Sequence, residues 1–414
     1  MFFQSICIIY LLIVNIQEIF TENVTFVPKP IHIKLSDLPP PFATRSNDRR
    51  AKIRPVPTNP RLFVPQGFSI KSLMSDLISP RYLIYTPTDD ILVSEPRANR
   101  ISCLTDTDND GHPDRRQTFA NESNGLNQPF GMTFTHGYFY VGNADGIRRY
   151  SWIRGSCRIY GQGELIFPTD ESGHWTRTVI YSSELGQLLV AIGSASNVDI
   201  EELPRASIQQ MNLDGTNHST FAFGLRNPVG LAFHPITREL YVSNQERDLI
   251  GDNLVPDYFT RVQQNQFFGW PYAYLHSNLL DPRRTFPNGT SQRPDLVSRT
   301  STPDVLFQAH SAVLDMCFYT GEQFPSRYHN GVFAAFHGSW NTNDATGYKI
   351  VFIPFHNETN RPMGYYEDFI YGFLKNSSIP ETFGRPVGLL VLNDGSLIFT
   401  EDGNNRIYHV EYQK

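Results

Sequence analysis

Apolar residues in this chain fall into short runs of about four to eight residues, separated by polar turns, with little sign of a long amphipathic helix. The runs come in pairs, and the pair recurs. The copies are PRYLIYTPTDDILVSEP from Pro80, QPFGMTFTHGYFYVGNADG from Gln128, TRTVIYSSELGQLLVAIGS from Thr176, NPVGLAFHPITRELYVSNQ from Asn227, SAVLDMCFYTGEQFPSRYHNGVFAAFHGS from Ser311 and RPVGLLVLNDGSLIFTEDG from Arg385. The first four are spaced by about fifty residues, near the period of propeller blades, and the longer later gaps read as insertions on one face. Turns such as Asn393-Asp394-Gly395 favour hairpins. The pattern predicts an all-β fold, a six-bladed β-propeller with four-stranded antiparallel blades, in which radial packing buries both faces of each sheet. An array of β-sandwiches is the alternative. In a propeller the strand starts gather around one end of the channel, which brings His174, Arg177, Arg226 and Arg385 toward one another.

Residues 22–61 are Pro-rich and lack apolar periodicity, and read as an extended lead-in on the surface of a propeller domain spanning 62–414. Residues 1–21 carry an apolar run from Ile6 to Ile16 that is too short to span a bilayer and fits a secretory signal peptide, although the basic leading segment is missing. A short membrane anchor is the other reading. No later segment is apolar enough to span. Asn-x-Ser/Thr sequons at Asn23, Asn121, Asn217, Asn288, Asn357 and Asn376 agree with a secreted, extracellular glycoprotein. With Cys7 removed, Cys103, Cys157 and Cys317 allow at most one internal disulfide, so the fold must rest on its core. A formal net charge of -6 argues against a nucleic-acid partner.

The densest chemistry lies between Gly224 and Tyr272. Arg226 and Asn227 precede a strand, and Glu246, Arg247, Asp248, Asp252 and Asp257 follow it. A guanidinium, an amide and an oxygen-rich turn at adjacent strand ends suit an anionic, metal-bound ligand. His174, in Gly173-His174-Trp175-Thr176-Arg177, is a candidate general base, or else a structural histidine bonded to a loop carbonyl. Phe336-His337-Gly338-Ser339-Trp340-Asn341 could clamp a flat ring or simply form a packed turn. Lys349 could pair with an anion or be solvated. Asp106, Asp108 and Asp110, followed by Gly111 and Asp114, have the spacing of a calcium loop, but Gln117 stands where a bidentate Glu is needed, so an acidic solvated turn is the alternative. Signatures of serine hydrolases, nucleotide enzymes and zinc proteases are missing.

At these residues the chain resembles the PQQ-dependent glucose/sorbosone dehydrogenases, and is most similar to their sorbosone and pyranose branch. LPPPFAT, VPQGFSI, GHWTR, LRNPVGLAF, ERDLIGDNLVPDY, FGWPY, FHGSWN, GYKI and GRPVG occur in the family's order over nearly the whole mature chain. The resemblance implies a propeller holding pyrroloquinoline quinone (PQQ) and calcium over the channel. His174 would take the sugar hydroxyl proton as hydride passes to the quinone C5. Calcium would polarise the C5 carbonyl, and Arg226 would support the charge developing on its oxygen. Asn227 would bond the cofactor, and Arg177 and Arg385 its carboxylates. His337, Trp340 and their loop would face it. The carbonyls of Glu246 and Arg247 would hold calcium, with Asp106, Asp108 and Asp110 a second, structural calcium site.

The chain departs from the family pattern at Thr342, at Gly388 in place of an Asp, and across His310–Asp315. The implied substrate is a small sugar or polyol, and an external electron acceptor (quinone, dye or cytochrome) is required because no haem or flavin motif is attached. A non-catalytic binding propeller of the signalling-ligand decoy type and a calcium-dependent lactonase are the alternatives.

Overall fold

The paired runs are the first two strands of six sheets. In this computed structural model, which describes residues 21–108 and 110–413, the sheets start with Leu83–Tyr85, Met132–Thr135, Arg177–Ser182, Asn227–Phe233, Val313–Phe318 and Pro386–Val391. Each is antiparallel with at least four strands. The expected signal peptide falls almost wholly on residues 1–20, outside the described residues. Among the described residues no helix is long and apolar enough to cross a membrane.

The second strands Ile91–Glu95, Val332–Phe336 and Leu397–Glu401 are buried at every position. Sheets covered on both faces have no wet side to alternate with, which is why these segments are nearly continuous apolar runs. The first strands pack side by side in chain order, and the sixth returns to the first. This is a β-propeller arrangement. Its last sheet takes its outer strand, Phe68–Met74, from before the first repeat, paired antiparallel with Arg406–Tyr412, so the two ends of the body close one sheet.

Side chains from the six strand starts meet on the axis. Phe130, Val229, Leu314 and Val387 form one buried cluster, with Tyr82 and Trp175 packed against it. In three repeats the next residue is glycine, where the neighbouring sheet comes closest. A Cβ at Gly131 would stand 2.6 Å from Thr178 Cα, one at Gly230 2.9 Å from the Leu314 carbonyl, and one at Gly388 2.1 Å from the Arg81 carbonyl. The departure from Asp at 388 therefore has a packing cause. Polar links join neighbouring sheets at the same level. Gly131 N donates to the Arg177 carbonyl at 3.1 Å, Leu389 N to Asp315 Oδ2 at 3.0 Å and Thr400 Oγ1 to the Arg81 carbonyl at 2.6 Å.

The lead-in does lie on the body, and it pairs with it. Glu22–Phe26 runs parallel to Arg61–Pro65, Pro30–Ile31 extends the fifth sheet and Lys52–Ile53 runs parallel to Glu381–Thr382. Cys103 and Cys157 form a disulfide, leaving Cys317 free. All six sequon asparagines are exposed.

Gly388→Ala should lower stability by about 1–3 kcal/mol, because a backbone carbonyl must move to admit the methyl group. The shift of the urea midpoint measures this, and an unchanged midpoint would contradict the close packing of the sixth strand on the first.

Candidate functional site

Arg226 ends the loop before the fourth sheet, and its guanidinium is locked. Nε donates to the Asn197 carbonyl at 3.0 Å, Nη1 to the Glu246 carbonyl at 2.8 Å, and Nη2 to Asn197 Oδ1 at 3.1 Å and Asp248 Oδ2 at 3.2 Å. Asp248 Oδ1 lies 3.2 Å from His310 Nδ1, and the other nitrogen of that ring lies 3.0 Å from the Gly251 carbonyl. A carbonyl on one side and a carboxylate on the other make both ring nitrogens donors. Burial opposes that charge, but the bond to Asp248 and its negative charge outweigh it, and the His310 pKa is raised.

These residues border a cavity of about 270 Å³ lined by Arg50, His174, Arg226, Gln245, Glu246, Asp248, Asp257, His310, Ala312 and Trp340. His174 is fixed by Ser194. Its Nδ1 lies 2.7 Å from the Ser194 carbonyl, and Ser194 N in turn donates to the Arg226 carbonyl at 2.8 Å. A carbonyl only accepts, so Nδ1 carries the proton and Nε2 keeps its lone pair. Burial first, and the charge of Arg226 second, push its pKa down to about 3. His174 is therefore neutral, with an available basic nitrogen, beside a fixed cation.

The acidic residues beneath are buried. Asp257 accepts Glu246 N at 2.9 Å and Ala312 N at 2.7 Å, and burial raises its pKa to about 6. Burial raises Glu246 to about 8. Arg247 is drawn away from the cavity, with Nη1 donating to Asp281 Oδ2 at 2.6 Å. The carbonyls of Glu246 and Arg247 accept from Arg226 and, at 3.4 Å, from Val255 N, each keeping a second lone pair. Among the described residues, no three acidic, His or Cys side chains at this cavity bring ligand atoms within 4.8 Å of one another. A hard cation here would rest on such carbonyls and on the ligand's own oxygens.

Several expected contacts are corrected. Arg177 does not face the cavity. It is fully buried, and its guanidinium donates to the carbonyls of His174 at 2.7 Å, Thr176 at 2.9 Å and Asp170 at 2.8 Å, bracing the loop that carries His174. Asn227 is not among the lining residues; its Nδ2 donates to Gln245 Oε1 at 3.0 Å, and its buried Oδ1 has no partner among the described residues. His337 has both nitrogens taken. Nε2 donates to Asp402 Oδ1 at 2.8 Å, and Nδ1 accepts from Arg385 Nη2 at 2.9 Å. His337 and Arg385 thus belong to a separate network that continues through Asp402 to Arg81. Only Trp340 of that loop lines the cavity. Lys349 pairs with Asp368 at 2.6 Å. The side chains of Asp106, Asp108 and Asp110 do converge, with oxygens within 4.8 Å of one another.

Sequence reasoning missed Asn197, which no motif marks although it holds both Arg226 and, through Oδ1, Asp248 N at 2.9 Å. It also missed His310 as the partner of Asp248, and Arg50, which the lead-in carries to the mouth of the cavity.

A family profile described as TrAA12-like matches residues 62–413. An uncharacterised protein of Borreliella burgdorferi is 32% identical over 308 residues, covering 70% of this chain and 77% of the relative. The calcium structure of Trichoderma reesei Carbohydrate-Active Enzymes Family AA12 superposes with a TM-score of 0.73 at 19% identity, over 89% of this chain and 99% of that one. The holo form of the pyranose dehydrogenase PQQ domain from Coprinopsis cinerea gives 0.71 at 18% identity, over 86% and 98%. At these identities the two structures speak for the fold, and the profile match over most of the chain places this protein in the TrAA12-like family.

Proposed function

We propose that this protein is a secreted quinoprotein dehydrogenase. On this reading a six-bladed propeller oxidises a hydroxyl of an aldose, sorbosone or pyranose-like substrate, with PQQ, calcium and an external electron acceptor. The observation that carries it is the neutral His174, with Nε2 unprotonated, beside the locked guanidinium of Arg226. Family membership and the sugar-dehydrogenase neighbours support the chemistry. Six exposed sequons support secretion and glycosylation.

The lining fits a flat, carboxylate-bearing quinone. Trp340 supplies a stacking face, Arg226 a fixed charge and the Glu246 carbonyl a hard oxygen for calcium, with the Arg247 carbonyl next to it along the chain. When bound, PQQ supplies the two-electron acceptor and calcium the Lewis acid. The chain's own residues then do the following. His174 accepts the substrate hydroxyl proton at Nε2 while its Nδ1–H stays on the Ser194 carbonyl. Arg226, held by Asn197, Glu246 and Asp248, presents positive charge that needs no reorganisation. Arg177 keeps the His174 loop in place. We further propose a structural calcium at Asp106, Asp108 and Asp110.

Protein supplied with calcium and PQQ should reduce a dye with aldoses or sorbosone, and no turnover across such a panel would refute the enzyme reading. His174→Ala should lose at least about a hundredfold in kcat while still binding PQQ, and retained activity would refute the assigned base. Protonated His174 cannot accept a proton, so activity falls as pH falls through its pKa. With that pKa near 3, the acid limb of kcat/KM should lie well below the ordinary histidine value of about 6.5, and a limb at that value would contradict the burial of His174. Asn197→Ala removes one of the two acceptors of Arg226 Nη2 and the side-chain acceptor of Asp248 N, and should cost about 1–3 kcal/mol in urea unfolding. Unaltered stability would show that Asn197 does not hold the site.

A further inference from the structure

The lead-in, which the repeat pattern assigns no part in the body, is stitched across the mouth of the cavity. Phe42 N donates to the Ile250 carbonyl at 2.7 Å, Gly251 N to Ser46 Oγ at 3.1 Å and Asp252 N to Thr44 Oγ1 at 2.7 Å. On the other side Asn341 Nδ2 donates to the Asn47 carbonyl at 2.9 Å, and Arg49 N to the Trp340 carbonyl at 2.7 Å. The Arg49 guanidinium continues the seam to the carbonyls of Asn343 at 2.8 Å and Ser378 at 2.6 Å. Residues 42–50 therefore bridge the turn after Asp248 and the loop of Trp340.

The strap ends by laying Arg50 over Trp340, with its guanidinium carbon 5.6 Å from the ring centroid. The other cations of the lining are committed. Arg226 has its four acceptors, and His310 lies between Asp248 and the Gly251 carbonyl. Among the described residues the one ion pair of Arg50 is with Asp48, at 3.6 Å, with both side chains exposed. Arg50 therefore brings uncommitted donors to the lining, above an indole face, and such donors suit an anion.

We propose that Arg50 is a ligand-binding residue that anchors a carboxylate of the molecule seated against Trp340, and that the lead-in strap is thereby part of the binding site. The carboxylate is either one of the cofactor's own or that of an acidic sugar such as a uronic acid. The inference rests on the cavity being the site of the proposed function.

Calorimetric titration of the full mature chain with PQQ, and steady-state kinetics with D-glucose and D-glucuronate, test it in wild type, Arg50→Gln and Arg50→Lys. If the cofactor supplies the carboxylate, Arg50→Gln weakens PQQ binding by about tenfold or more, with partial recovery in Arg50→Lys. If the substrate supplies it, PQQ affinity stays, and KM for glucuronate rises by a similar factor while KM for glucose does not. Unchanged PQQ affinity together with an unchanged glucuronate-to-glucose ratio overturns the proposal. Should wild type fail to bind PQQ, the dehydrogenase reading falls by itself. Direct calorimetry with glucuronate then decides on Arg50, since equal or absent binding in wild type and Arg50→Gln overturns its role.

Discussion

Six strand starts converge on one axis, and the rest of the molecule is arranged around that convergence. Tyr82, Phe130, Trp175, Val229, Leu314 and Val387 come from six different sheets and pack together at the centre. Glycine follows at Gly131, Gly230 and Gly388 because the next sheet leaves no room for a Cβ. Burying one residue per repeat in a common cluster makes each sheet's position depend on all the others. Closure by Phe68–Met74 ties the two ends of the body into the same ring.

The candidate site inherits its geometry from this packing. His174 immediately precedes Trp175 of the central cluster, and Arg226 lies just before the strand that carries Val229. They come from different sheets, and Ser194 joins them by contacting the imidazole through its carbonyl and Arg226 through its amide. Because the cation beside His174 is fixed and the ring is buried, the imidazole stays neutral with a defined tautomer. The same low-dielectric surroundings keep the proton on Glu246 and raise Asp257, so that few unpaired negative charges face the cavity.

Much of this was legible in the sequence, and for physical reasons. Strand pairs separated by tight turns identified the hairpins that open each sheet, since local periodicity and turn chemistry determine them. The sequence marked Arg226, His174 and Trp340, which line one cavity, because each lies in a short motif near a strand end. The errors came from direction. Arg177 and Arg385 occupy equivalent starting positions, but a guanidinium is long enough to turn back to nearby carbonyls or to His337, and sequence spacing does not say which way it turns. Asn197, in a loop with no periodic signal, and Arg50, in a Pro-rich segment, act through contacts very distant along the chain, and such contacts leave no local trace.

The central claim is that the cavity between His174, Arg226 and Trp340 seats the redox cofactor. A crystal structure of the protein grown with PQQ and calcium tests this most directly. The account predicts the quinone in that cavity, against Trp340 and within reach of Arg226, with His174 Nε2 facing the space left for substrate. Quinone bound elsewhere on the molecule, or a cavity left empty with the cofactor in excess, would contradict it.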